Sequence, residues 1–144
     1  LEVTSVPIHI QGDEAEYVLK VTGVADTDLV RHLSGDLVFA GSIPIELIHT
    51  PGHTPGSQCF LVDNRLVAGD TLFLQGCGRT DLPGGDPAEI YRSITERLAK
   101  VPDDATLFPG HLYSPEPSAP LGETRQTNMV FRPRNVDEFL RLFS

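Results

Sequence analysis

Hydrophobic positions in this chain fall mostly in short runs, separated by glycine, proline, asparagine and aspartate. Gln58 to Val62 and Arg65 to Ala68 flank Asp63-Asn64, a two-residue turn signal, and this predicts a β-hairpin. Leu37 to Ala40 and Ile43 to Ile48 flank Gly41-Ser42 and predict a second one. In the latter strand Ile43, Ile45 and Leu47 alternate imperfectly with Pro44, Glu46 and Ile48. Such a pattern fits a strand packed on one face and partly covered on the other. Val6 to Ile10 is a short β-branched run whose Pro7 assigns it to an edge or a strand start. Ala105 to Phe108 predicts a buried strand, and Leu1 to Ser5 the tail of a preceding element.

A helical period appears once at full strength. Ile90, Ile94, Leu98 and Val101 form a stripe, preceded by Asp86 as N-cap, Pro87 at the first helical position and Glu89 in the first turn. This predicts a helix from Asp86 to about Lys100. Glu14 to Val21 predicts one or two helical turns, with Asp13 as cap and Gly23 as stop. Ala25 to Leu33 reads as a further helical segment carrying an exposed His32. Leu121 to Met129 reads as a short helix or turn. Val136 to Phe143 reads as an amphipathic helix with Phe139, Leu140 and Phe143 on the body. Phe73 to Gly85 and Ser114 to Pro120 are loops.

Between the two hairpins lies His49-Thr-Pro-Gly-His53-Thr-Pro-Gly56-Ser57. Two Pro-Gly pairs exclude helix and central strand and predict a rigid, sharply turned loop. His53 precedes the first strand of its hairpin and Asp70 follows the second, so antiparallel pairing brings both to one sheet edge. A third run, Leu107-Phe108, ends in Pro109-Gly110-His111. Imidazole nitrogen with carboxylate oxygen is a ligand set for zinc or iron, which makes His53, Asp70 and His111 candidate metal ligands. His49 is expected to support the loop from behind, and His9 enters a strand with no partner in view. Arg79, the one cation of the glycine-rich loop, either binds an anionic substrate group or pairs with Asp81 or Asp86. Cys59 lies in a strand as a small core residue, and Cys77 lies close to the site.

Four motifs in order carry a family resemblance: Thr50-Pro-Gly-His53-Thr-Pro-Gly-Ser57, Gly69-Asp70-Thr71-Leu72-Phe73, Gly76-Cys77-Gly78-Arg79-Thr80-Asp81 and Pro109-Gly110-His111. Together they resemble the metallo-β-lactamase superfamily, in its glyoxalase II and persulfide dioxygenase branch. The resemblance implies an α+β fold, part of a four-layer αβ/βα arrangement with a mixed sheet and flanking helices. It implies that His53 and His111 each serve one metal and that Asp70 bridges them, with Arg79 and Tyr113 toward a small thioester or glutathione-derived substrate. The expected cofactor is zinc, as one or two ions, or iron. Glyoxalase II-like hydrolysis of a thioester by a metal-bound hydroxide is the first expectation. A persulfide dioxygenase-like iron enzyme, whose ligands exclude the His111 position, is the second, and a non-catalytic fragment or pseudoenzyme the third.

The superfamily also carries a His-x-His-x-Asp-His motif, expected to supply further ligands and the general base. The five histidines, His9, His32, His49, His53 and His111, contain no such spacing. Residues 1–144 therefore read as a single incomplete domain lacking that N-terminal half. The expected partners are a complementary N-terminal segment or a second copy of the chain. The formal charge of −9 offers no basic stripe for phosphates, so nucleic acid and anionic membrane are not expected as partners. No visible signal segment and two unspaced cysteines suggest a cytoplasmic protein.

Overall fold

The computed structural model describes residues 6–143; the tail expected at residues 1–5 lies outside them. The described chain opens with β1 (Ile8–Gln11), α1 (Ala15–Thr22) and β2 (Leu29–His32), and β1 and β2 pair in parallel. Gly23 ends α1 in the left-handed conformation, as expected. Ala25 to Leu33 departs from the helical expectation. A single tight turn at Asp26–Asp28 leads directly into β2. Pairing with β1 and burial of Leu29 override the weak local helical pattern.

A six-stranded sheet follows, ordered β3 (Leu37–Ala40), β4 (Ile43–His49), β5 (Gln58–Val62), β6 (Arg65–Gly69), β7 (Thr106–Pro109) and β8 (Ala119–Pro120). All neighbours are antiparallel except β6 and β7. Both predicted hairpins are present. Asp63 and Asn64 take φ of 46° and 56°, the left-handed pair that a twisted two-residue hairpin turn demands. The parallel β6–β7 pair needs a crossover, which α2 (Pro87–Arg92) and its continuation to Lys100 provide. The Asp86 carboxylate accepts from the Ala88 and Glu89 amides at 2.8 and 3.0 Å, satisfying two orphan donors of α2.

Two further helices, α3 (Leu121–Thr127) and α4 (Val136–Phe143), complete one layer. The helices cover one face of the sheet. Ile48, Cys59, Leu66, Ala68 and Leu107 pack there against Ile90, Ile94, Leu98, Val130 and Phe139. Each fully buried aliphatic side chain contributes about 1.5–3 kcal/mol by transfer. The opposite face is more open. Val67 and Phe108 remain 42% and 37% exposed, which corrects the expectation of a strand buried through Phe108. The architecture is α+β, a mixed sheet with flanking helices.

Candidate metal centre

The loop between β4 and β5 is held by its own hydrogen bonds. The Thr50 amide donates to the Ser57 carbonyl at 2.8 Å, and the Gly52 amide to the Thr54 carbonyl at 3.1 Å. Gly52 sits at φ +137°, where a Cβ would come within 2.3 Å of the Ile90 backbone, so only glycine lets the loop lie against α2. Beneath it the buried hydroxyls of Thr50 and Thr71 meet at 2.8 Å, joining the loop to the residue after Asp70.

This scaffold fixes His53 as a donor. Its Nδ1 lies 2.8 Å from the Arg79 carbonyl, which can only accept, so Nδ1 carries the hydrogen and Nε2 keeps its lone pair. His53 Nε2 lies 3.4 Å from Asp70 Oδ2, and His111 Nε2 lies 3.3 Å from the same oxygen. Two ligands on one tetrahedral ion with bonds of 2.0–2.1 Å stand about 3.3 Å apart, so each imidazole–carboxylate pair fits a shared cation. Among the described residues, no three His, Cys, Asp or Glu side chains converge on a single point. The carboxylate is instead shared by two pairs, one with each histidine.

Asp70 follows β6 and is wedged between glycines. A Cβ at Gly78 would come within 1.9 Å of the Asp70 carbonyl oxygen, and one at Gly110 within 2.6 Å of its Oδ1. His53, Asp70, Phe73, Cys77, His111 and Tyr113 line a cleft of about 640 Å³. Tyr113 stacks on His111 with centroids 5.2 Å apart, and Phe73 meets both rings edge-on. Tyr113 thus borders the cleft, and its ring stacks on that of His111.

Arg79 lines the cleft through its backbone, while its guanidinium donates to Asp81 at 2.7 and 2.6 Å. Of the two roles considered for Arg79, pairing is the one seen, and it holds the Asp81 carboxyl down at about 2. Burial pushes the Cys77 thiol up to about 11, so it borders the site as a neutral group. His49 faces away: its Nε2 lies 2.8 Å from the Pro55 carbonyl and 3.8 Å from the Asp13 carboxylate, a brace for the loop.

Two contributors were not anticipated from the sequence. Glu14 Oε1 accepts from Thr54 Oγ1 at 2.5 Å and from the Gly56 amide at 3.2 Å, pinning the loop from below. Asn128 donates to the Phe73 and Gly76 carbonyls and accepts from the Gly76 amide, closing the turn behind Phe73. Neither has a local signal, because the partners lie 40 to 55 residues away.

The expectation for His32 needs correction too. It is buried rather than exposed, because β2 pairs with β1 and turns the ring inward against His9.

Strand ends of a mixed sheet in an α+β fold thus present a carboxylate between two imidazoles, a candidate metal centre. The metallo-β-lactamase superfamily model matches residues 9–111, and the chain belongs to that superfamily. Among curated relatives, the zinc-dependent hydrolase BaeB of Bacillus velezensis, described as a probable polyketide biosynthesis enzyme, is 30% identical over 78% of this chain and 50% of its own. The human mitochondrial persulfide dioxygenase ETHE1 is 33% identical over 75% of this chain and 43% of its own. The solved structure of ETHE1 from Myxococcus xanthus superposes with a TM-score of 0.76 at 27% identity, covering 94% of this chain and 65% of that one. TTHA1623, solved in a di-iron-bound form, gives 0.66 at 27% identity, over 89% and 66% of the two chains. Members of the superfamily therefore bind zinc or iron. The chain spans half or less of the length of these two curated relatives.

Proposed function

We propose that this chain carries part of a dinuclear metal centre of a glyoxalase II-like thioester hydrolase. The observation that carries the proposal is the position of Asp70 Oδ2, 3.4 Å from His53 Nε2 and 3.3 Å from His111 Nε2. A carboxylate placed equally toward two imidazoles suits a bridge between two ions, one held by each histidine. Bound metal of this kind supplies an activated water near neutral pH and polarises a carbonyl. The residues of this chain would hold and orient it. The Arg79 carbonyl fixes the His53 tautomer, Tyr113 and Phe73 fix the His111 ring, and Gly78 and Gly110 leave room for the Asp70 carboxylate. A small thioester or glutathione-derived substrate would enter over Tyr113.

The second reading, a persulfide dioxygenase-like iron enzyme, is supported by similarity to ETHE1 over three quarters of the chain. His111 would then hold no metal. In either case we infer that the 144-residue chain is an incomplete domain and turns over little by itself, because the His-x-His-x-Asp-His motif is absent from its sequence. A cytoplasmic location is part of the proposal. Among the described residues, no helix is long and apolar enough to cross a membrane.

Intact mass combined with metal analysis tests these readings. About two zinc or manganese ions per chain, with both His53→Ala and His111→Ala lowering the content, supports the hydrolase. About one iron, insensitive to His111→Ala, with oxygen uptake on glutathione persulfide, supports the dioxygenase. Full thioester turnover by the 15.7 kDa species alone overturns the incomplete-domain inference.

A further inference from the structure

His9 and His32 come together on the small β1–β2 sheet, away from the cleft. His9 Nδ1 and His32 Nε2 lie 2.7 Å apart, while the other nitrogen of His32, Nδ1, lies 3.2 Å from Asp36 Oδ2. The same Asp36 oxygen also accepts from the Leu33 amide at 2.9 Å, which fixes the carboxylate behind His32. An ionised carboxylate can only accept, so it assigns the hydrogen of neutral His32 to Nδ1 and leaves the Nε2 lone pair aimed at His9. A carboxylate behind an imidazole with its far nitrogen free is the arrangement that orients a histidine for a cation and raises its basicity.

We propose that His9 and His32 form a second metal site, a two-imidazole clip for a borderline divalent cation such as zinc, with Asp36 positioning His32. Two nitrogens on one zinc ion stand about 3.3 Å apart at bond lengths of 2.0–2.1 Å, so the pair opens by roughly 0.6 Å to admit it. His32 is buried and held by Asp36, whereas His9 is exposed and has room to make that adjustment. Water would complete the coordination from the exposed His9 side. No net proton release is required. The hydrogen that neutral His9 carries on Nδ1 in the closed pair is lost to water, and Nε2 takes one up.

The clip would tie β1 to β2 across a loop of chain that also contains α1. β1 runs directly into the turn that carries Glu14, whose carboxylate holds Thr54 and Gly56 of the histidine loop. A cation at the clip would therefore stabilise the segment bracing the main centre without entering it.

Zinc chloride titration of the full chain tests the site in a His53→Ala/His111→Ala background, which removes the imidazoles of the main centre. The expected result is one zinc bound per chain and a rise in melting temperature on zinc addition. His9→Ala in that background loses both responses; His9 is exposed, so the substitution leaves the fold intact, as circular dichroism would verify. Asp36→Asn weakens zinc binding roughly tenfold to a hundredfold, the usual effect of removing the group behind a ligating histidine. Zinc binding in the double variant that persists unchanged after His9→Ala overturns the proposal, as does the absence of any zinc binding there. The main-centre reading is scored separately, by metal lost on His53→Ala and His111→Ala alone.

Discussion

At the scale of single residues, Asp70 is the centre of the candidate site. Its carboxylate lies within reach of both cleft histidines, and among the described residues its side chain makes no other ion pair, so removing it breaks only those two contacts. Asp70→Ala should abolish metal retention at the cleft while leaving the melting temperature of metal-free protein nearly unchanged; metal analysis and thermal denaturation of the stripped chain check this together. Asp81 allows a pH prediction with a definite sign. Its carboxyl is held near 2 by the Arg79 pair, below the roughly 3.9 of an unfolded aspartate. The pair's contribution is complete above pH 4 and is lost as pH falls from there toward 2. A carbon-detected titration of the Asp81 carboxyl should place its midpoint close to 2; a midpoint near 4 would mean that the pair does not form in solution. His53, Asp70 and His111 were legible as a group because each ends or precedes a strand of one sheet. The His9–His32 contact was not, since it depends on a parallel pairing of segments 23 residues apart that no local pattern announces.

At the scale of elements, local grammar and tertiary pairing compete. Asp86-Pro87-Ala88-Glu89 carries its own start signal, and both amides expected to need a cap receive one from Asp86. Asp86→Ala should cost about 1 kcal/mol, the usual price of an N-cap, measurable as a fall in denaturation midpoint. The same substitution leaves the cleft contacts of His53 and His111 in place, so metal content should not follow stability down. Asp63-Asn64 likewise encoded its hairpin locally. The segment from Ala25 to Leu33 had no comparable signal, because its mixed polarity suits a short helix and an exposed strand equally, and pairing with β1 decided it. Gly110 makes the opposite point. Its Cβ would press within 2.6 Å of the Asp70 carboxylate and 2.9 Å of the Gly69 backbone, so Gly110→Ala should lower metal affinity and also loosen the end of the β6–β7 pairing. Metal titration with hydrogen-exchange protection of β7 separates the two effects.

At the scale of the whole molecule, the six-stranded sheet has one face sealed by helices and the other open over β6 and β7. Leu66 and Leu107 are fully buried against the helices, whereas their neighbours Val67 and Phe108, which pair across β6 and β7 and point the other way, are not. Phe60 extends the same row onto β5, and the row closes at Leu47 on β4, which is buried. Period-two alternation explains why the sequence showed apolar residues on both faces without saying which face would be covered. Exposed apolar side chains such as Val67 and Phe108 on a sheet face favour association, since each square ångström withdrawn from water contributes about 25 cal/mol. The chain should therefore self-associate as its concentration rises, or pair with a complementary segment when one is supplied. Sedimentation velocity at rising concentration should show a growing larger species, and Val67→Thr with Phe108→Ser should shift it toward monomer while far-ultraviolet circular dichroism stays unchanged. A wild-type chain that remains monomeric at high concentration and binds no hydrophobic dye would show that this face is not an adhesive surface in solution. Because Val67 and Phe108 lie opposite the helix-packed face, the double variant separates loss of association from loss of the core.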